Sequence, residues 1–441
     1  MKKVITYGTF DLLHRGHIRL LERAKSLGDY LIVGVTADDF DKKRGKINVQ
    51  QSLIERIESI KSTGLADKII IEEYEGQKID DVKRFGIDIF AIGSDWVGQF
   101  DYLKEYCDVV YLERTHGISS TELRNDIRKV RFGLIGSGNI IQKYYNETKF
   151  VNGIDLIGIY SVYHKKLKNK SLPCFESIDK LLNFVDAVYI YGNPRENYKI
   201  IKKCLEQNKH VLCESPISLS SNESEELLKI AKDKELILME AIKTAYSTAY
   251  NRLLLLIKSG IIGEVVSIDA TCTSIKHTKK GDNVNKLWNS MYAWGPTGLL
   301  PIFQILGPNY QNISIFSKFL DKNFKYDLFS RINLYYKNSV ASVTVGQGAK
   351  SEGCLVIAGT LGYAYVPAPW WKTDYFEIRF ENQTDNKRYF YQLDGEGIRY
   401  EIIAFIKAIT ARKDTSNISP MVTCKISQVM ELFEKQNVIK I

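Results

Sequence analysis

The sequence has few cysteines and no long apolar run. Its 441 residues include seven cysteines, and no two of them form a Cys-x-x-Cys pair. Scattered cysteines argue against a disulfide framework or a zinc site and are typical of a reducing compartment. No stretch is long and apolar enough to span a bilayer. Lys2 and Lys3 lead directly into an apolar segment, which indicates that no signal peptide precedes it. We therefore expect a cytoplasmic protein without a membrane span.

Repeats, low-complexity segments and aromatic-basic patterns are also missing, so we expect no nucleic-acid partner. The net charge of +9 is unevenly distributed. The first 128 residues carry 20 Lys and Arg against 22 Asp and Glu, and the rest carries 41 against 30. A basic second part is compatible with a solvated surface and phosphorylated ligands.

The length and the composition, 44% apolar and 26% charged, are typical of a globular protein with two or three domains. We predict domains at 1–128, 129–245 and 246–441. In the first, apolar strand-like runs alternate with helix-like segments, which predicts an α/β fold with a parallel sheet covered on both faces. The runs are Val4–Tyr7, Leu31–Val35, Lys68–Ile71, Ile87–Ile92 and Val109–Leu112.

The stretch Gly8–His17 holds two of only six histidines in the chain. It lies between a strand-like run and an amphipathic helix, so His14 and His17 fall near the first helical turn and point to one side. Gly16 between them leaves room for a ligand. Free N–H groups at a helix start favour phosphate, so the stretch predicts a phosphate cradle with two imidazoles.

Two further polar loops follow strands and should reach the same sheet edge. Gly93–Trp96 supplies Asp95, a carboxylate or simply a turn cap. Arg114–Thr121 combines a guanidinium with several hydroxyls at a second helix start. The basic loop 42–46 is either solvated or closes over a phosphate.

The stretches Gly8–His17, Gly93–Trp96 and Arg114–Thr121 together resemble the bacterial glycerol-3-phosphate cytidylyltransferases of the HxGH nucleotidyltransferase superfamily. The resemblance covers residues 1–128. It implies that CTP and an alcohol phosphate, most simply glycerol 3-phosphate, give a CDP-alcohol and diphosphate with Mg²⁺. CDP-glycerol would then serve a surface polymer such as teichoic acid or capsule.

The resemblance also implies roles for matching residues. His14, His17 and Lys46 would be catalytic, and Arg44 and Lys78 would bind the acceptor phosphate. Ser94 and Ser120 depart mildly from the family pattern. CTP would be bound by the two histidines together with Thr9, Phe10, Asp95, Arg114, Thr115, Gly117, Ser119, Ser120 and Thr121.

A second strand-turn-helix motif begins at residue 130. Gly136-Ser137-Gly138 between an apolar strand and a helix is the start of a dinucleotide-binding fold, although Ile141 replaces the third glycine. Strand-like runs at Ile154–Tyr160, Ala187–Tyr191, His210–Cys213 and Leu236–Glu240 predict a Rossmann domain. Ser161, followed by His164, Lys165 and Lys166, favours NADP over NAD.

The order of landmarks over 130–441 resembles the Gfo/Idh/MocA oxidoreductases. Among them are Asn193-Pro194, Glu214-Ser215-Pro216 and Pro369-Trp370-Trp371. The resemblance implies NAD(P) binding by Gly136, Gly138, Asn139, Ile140, Ser161 and Glu214.

The chemistry departs from that family. Ser215 replaces the catalytic lysine, and the family's Asp and His are missing near 295–307. Lys243 or His277 could stand in, or both are ordinary surface residues. Two alternatives follow: a reductase that makes a polyol phosphate from a keto-sugar phosphate, or a non-catalytic scaffold or cofactor sensor.

The last part is rich in β-strands. Alternating runs between Val265 and Phe380 predict a largely antiparallel sheet with one open face, in an α+β domain closed by helices near 400–410 and 424–435. In the resembled family such a sheet carries oligomer contacts, so we expect a homo-oligomer.

Overall fold

The computed structural model describes residues 2–37, 51–73, 76–113, 129–161, 172–276, 288–320, 326–391 and 393–441. The chain divides into two compact units, Met1–Lys129 and Val130–Ile441, which are described separately. No helix within the described ranges is long and apolar enough to cross a membrane. The boundary near residue 245, inside the second unit, stays a prediction.

The first unit is built on a five-stranded parallel sheet. Its strands are β1 (Lys3–Gly8), β2 (Tyr30–Thr36), β3 (Lys68–Glu72), β4 (Ile89–Gly93) and β5 (Asp108–Leu112), and its helices are α1 (Arg15–Lys25), α2 (Leu53–Ser62) and α3 (Gln77–Phe85). The strand order is β3-β2-β1-β4-β5, so the direction of winding reverses between β1 and β4. Such a reversal opens a crevice beyond the carboxyl ends of the two strands.

Apolar side chains cover both faces of this sheet. Val4 packs with Leu21 of α1 and Ile60 of α2, whereas Ile5 packs with Val82 of α3 on the opposite face. Burial on both sides explains why these strands are almost continuously apolar. The predicted α/β class and parallel sheet are confirmed.

The second unit begins with a Rossmann sheet of six parallel strands in the order β11-β10-β9-β6-β7-β8. The strands are β6 (Val130–Gly136), β7 (Ile154–Tyr160), β8 (Cys174–Phe175), β9 (Ala187–Tyr191), β10 (His210–Glu214) and β11 (Leu238–Ala241). The accompanying helices are α4 (Asn139–Thr148), α5 (Ile178–Leu182), α6 (Pro194–Glu206) and α7 (Ser221–Asp233). Here the reversal lies between β6 and β9.

A nine-stranded sheet completes the second unit, in the order β19-β18-β17-β16-β12-β15-β14-β13-β20. Its strands are β12 (Val265–Thr273), β13 (Asn312–Phe319), β14 (Asp327–Tyr335), β15 (Val340–Gly346), β16 (Leu355–Gly359), β17 (Gly362–Val366), β18 (Tyr375–Phe380), β19 (Lys387–Phe390) and β20 (Ile439–Lys440). The pairs β12–β15 and β13–β20 are parallel, and the other neighbours are antiparallel. The sheet is therefore largely antiparallel, as predicted.

The remaining helices are α8 (Thr248–Lys258), α9 (Ser290–Ile305), α10 (Ile398–Ala411) and α11 (Pro420–Glu434). Helices α8 and α9 contact the nine-stranded sheet, whereas α10 packs on α4 and α11 packs on α7. Sequence analysis did not predict α9, which contains two prolines and is almost wholly buried. A Cβ added at Gly298 would lie 2.4 Å from Val343 of β15. Glycine at this position therefore lets the helix approach the sheet closely.

Candidate functional site

The histidine loop starts where β1 ends. Val4 pairs with Ile89, so the terminal glycines of β1 and β4 lie at the same level of the sheet. The backbone then turns through positive φ at Phe10 (53°) and Leu12 (48°), a conformation that larger residues rarely adopt. The ring of Phe10 is buried and holds the loop to the core.

The two histidines contact each other at the start of α1. Their rings stack with centroids 3.8 Å apart and planes 20° apart. The Nδ1 atom of His14 accepts hydrogen bonds from the backbone N–H of Gly16 (3.0 Å) and His17 (3.4 Å), so His14 caps the helix. A neutral ring that accepts through Nδ1 carries its proton on Nε2, which can donate to a phosphate oxygen.

A buried clamp beneath this loop was missed by sequence analysis. Arg56 of α2 is fully buried and donates to the backbone carbonyls of Thr9 (2.6 Å), Thr36 (2.9 Å) and Gln51 (3.2 Å). Gln51 in turn donates its backbone N–H to Asp11, 2.9 Å away. An arginine on the apolar face of α2 was the available signal, because buried charges in proteins are almost always paired or hydrogen-bonded.

Asp95 lies at the same edge, in the short turn Ser94–Trp96 that follows β4. Its side chain is exposed, and the neighbouring Trp96 ring packs 5.8 Å from that of Phe100. The structure thus places the predicted carboxylate beside the strand that flanks β1.

Lys78, the predicted acceptor-binding lysine, is buried and forms an ion pair with Glu72. Its ammonium lies 4.6 Å from the centre of the Tyr7 ring. Glu72 also accepts a hydrogen bond from the hydroxyl of Thr36 (2.9 Å). Thr36 and Glu72 end β2 and β3, so this pair lies at the carboxyl edge too. The role of Lys78 toward the acceptor stays a prediction.

The remaining predicted residues of this site lie outside the described ranges. Within the described residues, no group of His, Cys, Asp and Glu side chains could hold a metal ion. The residues outside are Arg44, Lys46, Arg114, Thr115, Gly117, Ser119, Ser120 and Thr121.

The glycine turn of the second unit joins β6 to α4. Gly136 (φ 138°) and Gly138 (φ 96°) both adopt positive φ, and a Cβ at Gly136 would lie 2.0 Å from the carbonyl oxygen of Tyr191. No side chain caps α4, which begins at Asn139 and Ile140. Uncapped N–H groups beside a glycine turn fit a dinucleotide pyrophosphate.

Two more predicted cofactor residues end neighbouring strands. Ser161 follows β7 and is buried, whereas His164 to Lys166 lie outside the described residues. Glu214 ends β10 and accepts a 2.6 Å hydrogen bond from the hydroxyl of Tyr189. Burial raises the pKa of Glu214 to about 7.

Ser215, at the position of the family lysine, does not face the sheet edge. It is buried and its hydroxyl donates to Glu240. Burial raises the pKa of Glu240 to about 7, and the Ser215 hydrogen bond opposes that increase. A serine turned inward cannot replace a lysine that handles a substrate proton.

Lys243 lies in the turn after β11, the strand that pairs with β10. Its ammonium is 3.1 Å from a carboxylate oxygen of Glu396, and its charge acts on Glu214 to lower the pKa of that carboxyl. His277, the other candidate to stand in, lies outside the described residues.

An aromatic pair covers the reversal point between β6 and β9. The ring of Trp288 stacks on Tyr191 at 5.1 Å, with 9° between the planes, and its Nε1–H donates to the carbonyl of Gly192 (3.0 Å). Asn193 then caps α6 by accepting from the backbone N–H of Arg195 (3.2 Å). This wall would face the reactive part of a bound dinucleotide.

Comparison with known proteins identifies the first unit. The cytidylyltransferase-like family model matches residues 5–126. A glycerol-3-phosphate cytidylyltransferase from Bacillus spizizenii is 52% identical over 127 residues, which make up 29% of this chain and 98% of the relative. The chain belongs to the cytidylyltransferase-like family. Another cytidylyltransferase of this kind, from Staphylococcus aureus, is 47% identical over 127 residues, 29% of this chain and 96% of the relative. The chain is therefore a nucleotidyltransferase.

The second unit of this cytidylyltransferase-like protein matches the oxidoreductase family with an NAD-binding Rossmann fold over residues 130–242. A solved 3-ketoreductase from Actinomadura kijaniata aligns with a TM-score of 0.63 at 17% identity, over 71% of this chain and 99% of that one. A UDP-N-acetylglucosamine 3-dehydrogenase from Acidithiobacillus ferrooxidans aligns with a TM-score of 0.55 at 16% identity, over 68% of this chain and 95% of that one. At these identities the likeness establishes the fold.

Proposed function

We propose that the first unit transfers a cytidylyl group from CTP to glycerol 3-phosphate, giving CDP-glycerol and diphosphate. The stacked pair His14–His17 at the first turn of α1 carries this proposal, in a unit 52% identical to a glycerol-3-phosphate cytidylyltransferase. CDP-glycerol would supply a cell-surface polymer such as teichoic acid or capsule.

The reaction needs no covalent intermediate with the enzyme. A phosphate oxygen of the acceptor attacks the α-phosphorus of CTP in line, and the bond to the bridging oxygen of diphosphate breaks. The Nε2–H of His14 would donate to a phosphoryl oxygen as charge increases, and His17 would hold the triphosphate. Mg²⁺ carried by the triphosphate would neutralise the leaving group.

The test separates the two uses of His14. We expect His14→Asn to keep the helix cap, because asparagine is a good N-cap residue, and to lose at least about a hundredfold in CDP-glycerol formation, because the Nε2–H donor is gone. Product analysis with CTP and glycerol 3-phosphate, alongside thermal unfolding, measures both. Near-normal turnover by a folded His14→Asn variant would exclude the proposal.

Other polyol phosphates and amino-alcohol phosphates belong in the same assay, because the pocket for the acceptor is built from side chains outside the shared motifs. If the enzyme prefers one of these over glycerol 3-phosphate, the proposed cytidylyl transfer stands and the proposed acceptor is replaced by the preferred compound.

A second candidate function is that the second unit reduces a keto-sugar phosphate with NAD(P)H, and the first unit activates the resulting polyol phosphate. The turn at Gly136, closed against Tyr191, favours it. Gly136, Gly138, Asn139 and Ile140 would hold the pyrophosphate. The cofactor would supply hydride, and Glu214, whose pKa is about 7, would donate the proton that the substrate oxygen needs.

Fluorescence titration with NADPH, followed by its oxidation with a panel of ketose phosphates, tests this second candidate. Binding with turnover supports the reductase. Binding without turnover would support the scaffold or cofactor-sensing alternative, and no binding would exclude both uses of the glycine turn.

A further inference from the structure

Three lysines from separate parts of the second unit surround one carboxylate. The carboxylate oxygens of Glu396 lie 2.9 Å from the ammonium nitrogen of Lys143 and 3.1 Å from that of Lys243. Lys372 lies 4.0 Å away. The lysines belong to α4, to the turn after β11 and to the turn after Pro369. The cluster therefore holds two positive charges more than its own carboxylate neutralises.

Two neighbouring acids among the described residues have other partners. Glu147, one turn along α4 from Lys143, is 2.8 Å from Arg399. Glu401, on which the charge of Lys243 acts, is buried, and burial raises its pKa well above the usual range. Its carboxyl group accepts a hydrogen bond from the hydroxyl of Tyr144. Glu214, whose pKa is about 7, shares part of the charge of Lys243.

The carboxylate is presented by an unusual backbone. Gly395 (φ 55°), Glu396 (φ 54°) and Gly397 (φ 91°) all adopt positive φ, which costs energy for a side chain such as glutamate. About two fifths of the side chains of Glu396, Lys143 and Lys372 is exposed, so an incoming anion can reach the ammonium groups.

We propose that Lys143, Lys243 and Lys372 form a binding site for the phosphate of a phosphomonoester substrate, and that Glu396 occupies it until the substrate arrives. A phosphate dianion offers two negative charges to the three ammonium groups, whereas the carboxylate of Glu396 offers one. Lys143 lies one turn after the cofactor turn, and Lys243 lies beside Glu214, so the site adjoins the place of carbonyl reduction. This inference rests on the second candidate function.

Calorimetric titration of the full chain with inorganic phosphate tests the site. We expect Glu396→Gln to bind phosphate about tenfold more tightly than the wild type, because the competing carboxylate is removed. Adding Lys143→Met or Lys372→Met should reverse that gain. The matched control is Glu226→Gln, which breaks a single exposed ion pair with Lys202 in the same unit and should leave the titration unchanged.

Phosphate sites in the first unit are identical in all these variants, so differences in phosphate affinity between the variants arise from the lysine cluster. Equal phosphate affinity of the wild type and a folded Glu396→Gln variant would overturn the proposal. If Glu396→Gln gains affinity for NADPH but not for NADH or phosphate, the cluster binds the cofactor, and the proposal is overturned as well. Tight phosphate binding without ketose phosphate reduction would defeat the second candidate function alone.

Discussion

Single residues in the first unit serve both the fold and the site. His14 accepts hydrogen bonds from two backbone N–H groups at the start of α1 through Nδ1, which puts the proton of the neutral ring on Nε2. Its ring also stacks on His17. The imidazole orientation is thus fixed before any substrate binds, and preorganised donors of this kind stabilise a charged transition state most effectively.

Arg56 offers a prediction at this scale. Arg56→Met should lower the free energy of unfolding of the first unit by about 3 kcal/mol, because three buried carbonyl groups lose their donor. Cytidylyl transfer should fall as well, since Thr9 and Gln51 are no longer held. Urea unfolding and product analysis measure the two effects.

The control for Arg56 is Lys61→Met, on the same helix. Lys61 is exposed and 3.6 Å from Glu58, and surface changes of this kind alter stability by no more than about 0.5 kcal/mol. A similar small effect of Arg56→Met would show that the clamp does not stabilise the loop.

Glu240 gives a prediction about pH. Its pKa in the folded state is about 7, above the ordinary value of 4.5, so the folded state binds the proton more tightly. This contribution to stability is complete below pH 4.5 and is lost as the pH rises through 7. Glu240→Gln should therefore match the wild type near pH 4 and be more stable by about 3 kcal/mol at pH 8.

Urea unfolding at both pH values measures this difference for the second unit. Exposed Glu264→Gln is the control and should follow the wild type throughout. A wild type that is as stable as Glu240→Gln at pH 8 would contradict the raised pKa.

The residues that sequence analysis could identify are those whose type alone carries the chemistry. His14, His17 and Gly136 stand in short motifs, and the structure brings each to a sheet edge. Sequence analysis missed Arg56, because its role is to donate hydrogen bonds to three backbone carbonyls that only the folded chain brings together. The inward turn of Ser215 toward Glu240 was equally invisible, since it depends on pairing between β10 and β11.

Among the elements, the strands were the most predictable. Predicted Ile154–Tyr160 and Ala187–Tyr191 coincide with β7 and β9. Strand β9 is almost wholly buried, and strands buried on both faces are nearly continuous apolar runs. Helix α9 was missed because it is apolar on all sides and contains glycine and proline, so it lacks the polar face that marks an amphipathic helix.

The cofactor turn gives the prediction for this scale. Gly136→Ala should weaken NADPH binding more than tenfold and destabilise the second unit by about 3 kcal/mol, because the new Cβ meets the Tyr191 carbonyl and the φ of 138° is strained. Fluorescence titration and urea unfolding measure both quantities.

Gly307→Ala separates backbone strain from the cofactor geometry. Gly307 has a φ of 82° with open space around it and lies away from the turn, so this variant should lose stability but keep NADPH affinity. Unchanged NADPH binding by Gly136→Ala would show that the turn does not hold the dinucleotide.

For the whole molecule, the two units have separate apolar cores. The apolar clusters around Val4 and Ile5 contain only residues of the first unit. Relatives of the first unit alone are almost wholly covered by the 127 residues that they share with this chain. The first unit therefore spans almost the full length of these relatives, which supports its folding and working as a unit of its own.

This independence predicts that a fragment of residues 1–129 folds and forms CDP-glycerol from CTP and glycerol 3-phosphate at a rate within about threefold of the full chain, since about 130 residues suffice for a domain with its own core. Circular dichroism and product analysis measure both properties, and His14→Asn in the fragment is the inactive control. A fragment that folds but has lost more than about a hundredfold in rate would mean that the second unit completes the active site. In that case the oxidoreductase-like module would be a necessary part of the transferase.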